Sequence, residues 1–170
     1  MIGKESKWYV AYITRHHETM AFNWIKAQGV EAMLPTRSVE RKWSDRVKTI
    51  IEPWFPSYIF LKVSCREYFS ILEHPSIIKY VSFGRVPAIV PDAQVALIRR
   101  VMAYNINCEI VPSNFKTGMA VQITQGILSG TKGEIVYGGS RKRFMIRIDS
   151  IGRSILFNIP AEYISNRRDL

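Results

Sequence analysis

The rhythm of the apolar residues changes partway along this chain, and that change limits its fold more than any other feature. Up to about residue 105, strand-like runs alternate with helix-like stripes. After residue 117 the period is two, and five short segments follow within 45 residues or so, punctuated by Gly126, Gly130, Gly133, Gly138, Gly139 and Gly152. A single sheet does not explain both halves. We therefore expect two small domains: residues 1–105 as an α+β unit with an antiparallel sheet flanked by helices, 106–117 as a linker, and 118–170 as a small all-β barrel.

In the first unit, residues 7–13 (KWYVAYI) read as a strand buried on both faces. Residues 17–28 place Met20, Ala21, Trp24 and Ile25 on one helix face, with Gly29 just past its end. Residues 30–34 are a short strand. Residues 39–43 and 47–51 flank Ser44, Asp45 and Arg46 as a polar hairpin. Residues 58–63 are a strong strand, 66–72 a short helix and 77–83 a strand, and Asp92 caps a further helix with Val95, Ile98 and Met102 as its buried stripe. Within this run, EPWFPSYIFLKV puts two prolines around Trp54 and Phe55 at the mouth of a strand. A core strand has no use for prolines, so Phe55 is expected on the surface.

The 24 Lys and Arg against 14 Asp and Glu give a net charge of +10, which favours a polyanionic partner. No apolar run reaches the length of about 18 residues that a membrane helix needs. The N-terminus has no secretion signal, and Cys65 and Cys108 stand alone, so reduced thiols in the cytoplasm are expected. Nothing points to catalysis. Asp45 and Asp149 sit in turns, Asp92 caps a helix and Asp169 is in the tail, leaving no carboxylate pair for acid–base work. His16 and His17 point about 100° apart on a helix, whereas helical metal ligands need i, i+4 spacing. No cofactor or metal site is expected.

WYVAYITR, EPWFPSYIFLKV and YVSFGRVPAIVP resemble the N-terminal domain of the NusG family, with Trp54-Phe55-Pro56-Ser57-Tyr58 in the place of its LFPGY-type motif. Ser57 stands where Gly or Asn is common. KTGMAVQITQGILSGTKGEIV resembles the KOW motif at Gly118, Gly130 and Gly133. FGRVPAIVP is similar to the specialised RfaH-like and UpxY-like members. The resemblance implies a non-catalytic transcription elongation or antitermination factor serving particular operons, such as those for surface polysaccharides. Its N-terminal domain would dock on the clamp helices of RNA polymerase, and its KOW barrel on a further partner such as a ribosomal protein. A general NusG factor and an RNA- or ribosome-binding KOW protein are the alternatives.

Carried over by motif position, the polymerase contact comprises Tyr12, Phe55, Tyr58 and Phe60, with Phe83 and Ile89 as additions. Phe60 reads equally as core. Arg15, His16 and His17 stand where the resemblance places a contact to non-template DNA, and read equally as a solvated helix start; nascent RNA is the other nucleic-acid partner expected. Arg41, Lys42 and Arg46, with Lys48, line the hairpin as a DNA contact or a solvated face. Arg141, Lys142 and Arg143 offer RNA contacts or a solubilising turn. The stretch Glu67-Tyr68-Phe69-Ser70 departs from the His-Thr-Thr-Thr run of RfaH-like proteins, which touches the opposite jaw of the polymerase. The period-two C-terminal segments favour a barrel over the helical hairpin some relatives form. A monomer is expected.

Overall fold

The computed structural model describes residues 5–113, 118–138 and 141–166; of the side chains of Arg141, Lys142 and Asn166 nothing is said. The chain divides into two compact units, Met1–Asp92 and Ala93–Leu170. Among the described residues, no helix is long and apolar enough to cross a membrane.

The first unit runs β1 (Lys7–Ile13), α1 (Glu18–Ala27), β2 (Glu31–Met33), β3 (Thr36–Lys42), β4 (Val47–Pro53), β5 (Tyr58–Val63), α2 (Cys65–Ser70), β6 (Ile77–Tyr80), β7 (Ser82–Phe83), β8 (Val86–Pro87) and β9 (Ile89–Val90). Its main sheet is antiparallel, in the order β2-β5-β1-β6, with β9 also paired to β1. Strand alternation sends Tyr9, Ala11 and Ile13 to one face. There they meet Ala21 and Ile25 of α1 and Tyr68 and Ile71 of the α2 region. Burying these side chains is the main stabilising term, at roughly 1.5–3 kcal/mol for each large one. Tyr68 stacks on Tyr80 at 3.9 Å and meets Tyr9 edge-on. Among the described residues the buried Tyr80 hydroxyl has no hydrogen-bond partner, and burial pushes its pKa well up, so it stays neutral. The opposite face carries Trp8, Val10 and Tyr12 beside Lys62, Phe60 and Tyr58 in register.

Strand β1 and helix α1 form where expected, and α2 is fixed by its own start. Glu67 accepts from the Ser64 N–H at 2.8 Å and from the Ser64 hydroxyl at 2.7 Å. Strands β3 and β4 make the anticipated hairpin, and Trp43 N–H donates to Arg46 O at 2.8 Å to close its turn. One expectation fails here. Residues 77–83 are not a single strand: β6 ends at Tyr80, and β7 leaves it to pair with β8 as a separate two-stranded ribbon around Gly84.

The second unit contains α3 (Asp92–Ala103), β10 (Cys108–Pro112), β11 (Met119–Ile123), β12 (Lys132–Gly138), β13 (Arg141–Ile148), β14 (Arg153–Phe157) and β15 (Ile164–Asn166). The division falls at the first turn of α3, whose Gln94 side chain donates to Arg147 O at 2.6 Å. The strands form one antiparallel sheet in the order β10-β14-β13-β12-β11-β15. Phe144, Ile155, Ile148 and Val121 are fully or nearly fully buried in this unit. The stretch read as a linker contains β10, which pairs along its whole length with β14. Residues 161–163 form a short 3-10 turn before β15, so of the last expected short strand, 162–164, only Ile164 lies in a strand. The arrangement as a whole is mixed α+β with antiparallel sheets.

Candidate functional site

The stretch Trp54-Phe55-Pro56-Ser57-Tyr58 is a clamped turn. Tyr58 N–H donates to Phe55 O at 3.1 Å, and Ser57 adopts φ 69°, in the left-handed region that Gly and Asn favour. That conformation accounts for the residue types common at this position in the resembling motif. Two neighbours hold the turn. The Ser57 N–H donates to Glu18 Oε1 at 2.9 Å, and Ser57 O accepts from the Ile13 N–H at 2.8 Å. The start of α1 and the end of β1 thus fix the entry to β5.

This turn folds Phe55 inward. Phe55 is 1% exposed and Phe60 is 0% exposed. Their rings lie 5.8 Å apart edge-to-face, with Trp54 a further 6.4 Å from Phe55. The surface position expected for Phe55 is therefore corrected: the prolines shape a turn and do not lift the ring into solvent. For Phe60 the structure favours the core alternative. Tyr12 and Tyr58 are register partners, half-buried, with ring centroids 5.5 Å apart. Phe83 and Val86 pair across the β7–β8 ribbon and are 63% and 68% exposed, and Ile89 on β9 is 51% exposed. Of the six apolar candidates, four thus present surface: Tyr12, Tyr58, Phe83 and Ile89. Val86 joins them and was missed, because a valine between prolines and glycines gives no surface signal.

The basic candidates fall into three places. Arg15, His16 and His17 are exposed at the turn into α1, where His16 adopts φ 68°. His17 Nδ1 shares a hydrogen bond with Ser76 Oγ at 2.9 Å. The Ser76 N–H in turn donates to His74 Nδ1 at 3.2 Å, and the His74 ring lies 4.7 Å from that of Trp24. The structure therefore joins His74 and Trp24 to this group. Sequence separation of 50 residues hides that contact, and no local pattern announces it.

On the hairpin, Arg41, Lys42 and Arg46 are exposed. Arg41 already pairs with Glu52 at 2.5 Å, and Arg46 with Asp45 at 3.7 Å. Such exposed pairs are weak and yield readily to a stronger anion. Trp43, Val47 and Ile51 stand exposed among them. In the second unit Arg143 pairs with Glu109, while the Arg141 and Lys142 side chains lie outside the described residues. Glu134 is held by Arg147 at 3.0 Å and accepts the Gly118 N–H at 2.7 Å. The Arg147 hydrogen bond is the main cause that lowers the Glu134 pKa. Among the described residues, no group of three or more His, Cys, Asp or Glu side chains is placed to hold a metal ion.

In fold the chain is similar to the NusG of Thermotoga maritima, solved in a study of its domain interaction. The TM-score is 0.55 at 19% identity, over 95% of this chain and 97% of that one. A fainter likeness is to the MjSpt4:Spt5 complex, with a TM-score of 0.31 at 9% identity over 93% of this chain and 96% of that one. The family pattern described as transcription termination factor nusG matches residues 6–99, which is more than half of the sequence. The chain belongs to the NusG family of transcription factors.

Proposed function

We propose that this protein is a transcription elongation and antitermination factor that binds RNA polymerase through its first unit. The family match over residues 6–99 carries the reading. The exposed apolar side chains on the consecutive short strands β7, β8 and β9, together with half-buried Tyr12 and Tyr58, support a protein-binding face. In this proposal Tyr12, Tyr58, Phe83 and Ile89 touch the polymerase clamp helices, and Phe55 and Phe60 support the rings from below. Arg15, His16 and His17 contact non-template DNA or nascent RNA, and the hairpin residues Arg41, Lys42 and Arg46 add a second cationic contact. The second unit acts as a KOW-type barrel with its own partner, a ribosomal protein among the candidates. The FGRVPAIVP stretch favours a specialised factor acting on few operons.

The test compares binding to a reconstituted elongation complex with binding to its bare nucleic-acid scaffold at equal salt. Selective binding to the complex is expected. A Tyr58→Ala, Phe83→Ala double variant should weaken it at least roughly tenfold, as loss of interface anchors does. The net charge of +10 favours a second reading, an RNA- or ribosome-binding protein. Equal, steeply salt-dependent binding to the bare scaffold would put that reading first.

A further inference from the structure

A groove of about 300 Å³ lies in the first unit between the exposed side of α1 and the base of the β3–β4 hairpin. Its apolar lining is Phe22, Leu34, Ile51 and Pro53, and exposed Asn23 also lines it. Glu18 lines it, although this residue is only 6% exposed. Among the described residues no lysine or arginine lines the groove, in a chain whose net charge is +10.

The Glu18 carboxylate is half used. Oε1 accepts the Ser57 N–H at 2.9 Å. Among the described residues no second hydrogen bond reaches this carboxylate at Oε2. A carboxylate offers about four lone-pair sites, and a buried one is costly unless paired. This one is held by a backbone N–H at the start of a helix, and its residue lines a groove with apolar walls. It is pre-organised for a cation carried on an apolar stem.

We propose that this groove is a docking site for an arginine side chain presented by a protein partner. Charge complementarity selects a cation. The apolar walls select a stem that covers them, and a guanidinium is less strongly hydrated than an ammonium and is better suited to a partly buried pair. A free polyamine lacks the flanking residues that would cover exposed Ile51. The proposal is independent of the polymerase contact, because the groove shares none of Tyr12, Tyr58, Phe83 or Ile89.

The experiment titrates the full chain with the blocked tripeptide Leu-Arg-Leu and with its citrulline counterpart, which has the same shape and no charge, and follows backbone amide NMR signals. Saturable shifts at Ser57, Thr19, Phe22 and Ile51 with the arginine peptide alone are expected. Glu18→Gln keeps an acceptor for the Ser57 N–H and should weaken binding roughly tenfold through loss of the charge-assisted bond. Asn23→Trp, which adds bulk to the groove lining from an exposed position, should abolish the shifts even if the first variant folds poorly. No saturation, equal shifts from the citrulline peptide, unchanged binding in either variant, or equal binding of spermidine would each overturn the proposal.

Discussion

Replacing Gly133 with alanine tests the packing of the second unit at one atom. Gly133 lies in β12 opposite Val121, and β13 passes on its other side. A Cβ built there would stand 2.4 Å from Phe144 Cζ and 2.6 Å from the Met145 carbonyl oxygen. Both distances are far inside any real carbon contact. The Phe144 ring is fully buried and has no free space to enter, and the Met145 carbonyl belongs to a strand paired on both sides. Overpacking a closed site costs about 1–3 kcal/mol. Two stiff contacts on one methyl place this case in the upper half, about 2–3 kcal/mol. Native-state amide exchange at Phe144, Met145 and Ile146 should then lose roughly 30- to 150-fold in protection, at about 1.4 kcal/mol per factor of ten. Gly130→Ala is the control. Its Cβ would meet nothing within 4 Å, although φ is 81°, so only the left-handed strain of about 1–2 kcal/mol is added. Protection in Gly133→Ala within threefold of the parent protein would refute the close approach of β12 and β13.

Three further outcomes follow from the same reasoning. Ser57→Val should lower stability by about 1–2 kcal/mol in urea unfolding, because a branched side chain resists positive φ, whereas Ser57→Gly should be near neutral. Phe60→Ala should cost about 3–5 kcal/mol, since its ring is fully buried, while Phe83→Ala should leave the unfolding midpoint unchanged. The Glu134 pKa is lowered in the fold, so the Glu134–Arg147 pair adds stability that is fully present above the unfolded carboxylate value of about 4.3. That stability is lost as pH falls through the lower folded value. Thermal midpoints of Glu134→Gln should therefore fall less than the parent's between neutral pH and about pH 3, and parallel curves would exclude the pair as a source of stability.

Much of the first unit was legible because its signals are local. KWYVAYI, YIFLKV and the Ser44-Asp45-Arg46 turn each carry their own period or turn chemistry. The misses are non-local. Cys108–Pro112 holds a glutamate and a proline and shows no strand period, yet β14 offers it five partners in register. Beyond Tyr80 the edge of β1 is taken by β9, at Trp8 and Tyr9, and the local pattern of β-branched residues does not encode that exchange. Phe55 went wrong for a similar reason: the prolines are visible in the sequence, but the left-handed Ser57 and the Glu18 acceptor 39 residues away are what turn its ring inward. The site followed the same division. Phe83 sits in a short ribbon next to Gly84 and Ile89 on β9 just after it, while the meeting of His17, Ser76, His74 and Trp24 needed the folded chain.

The β3–β4 hairpin has a consequence for how such a protein can diverge. Seven register pairs, from Thr36↔Pro53 to Lys42↔Val47, hold it as a two-stranded sheet of its own, and no residue of its outer half is buried. Residues can therefore be inserted or removed in opposed pairs at the tip without a change to the main sheet. Each added pair lengthens the arm by about 3.4 Å. Adding two pairs restores the original alternation of faces, so Trp43 and its basic neighbours would keep their orientation while moving about 7 Å outward. The arm is a ruler whose length can drift independently of the body that carries it.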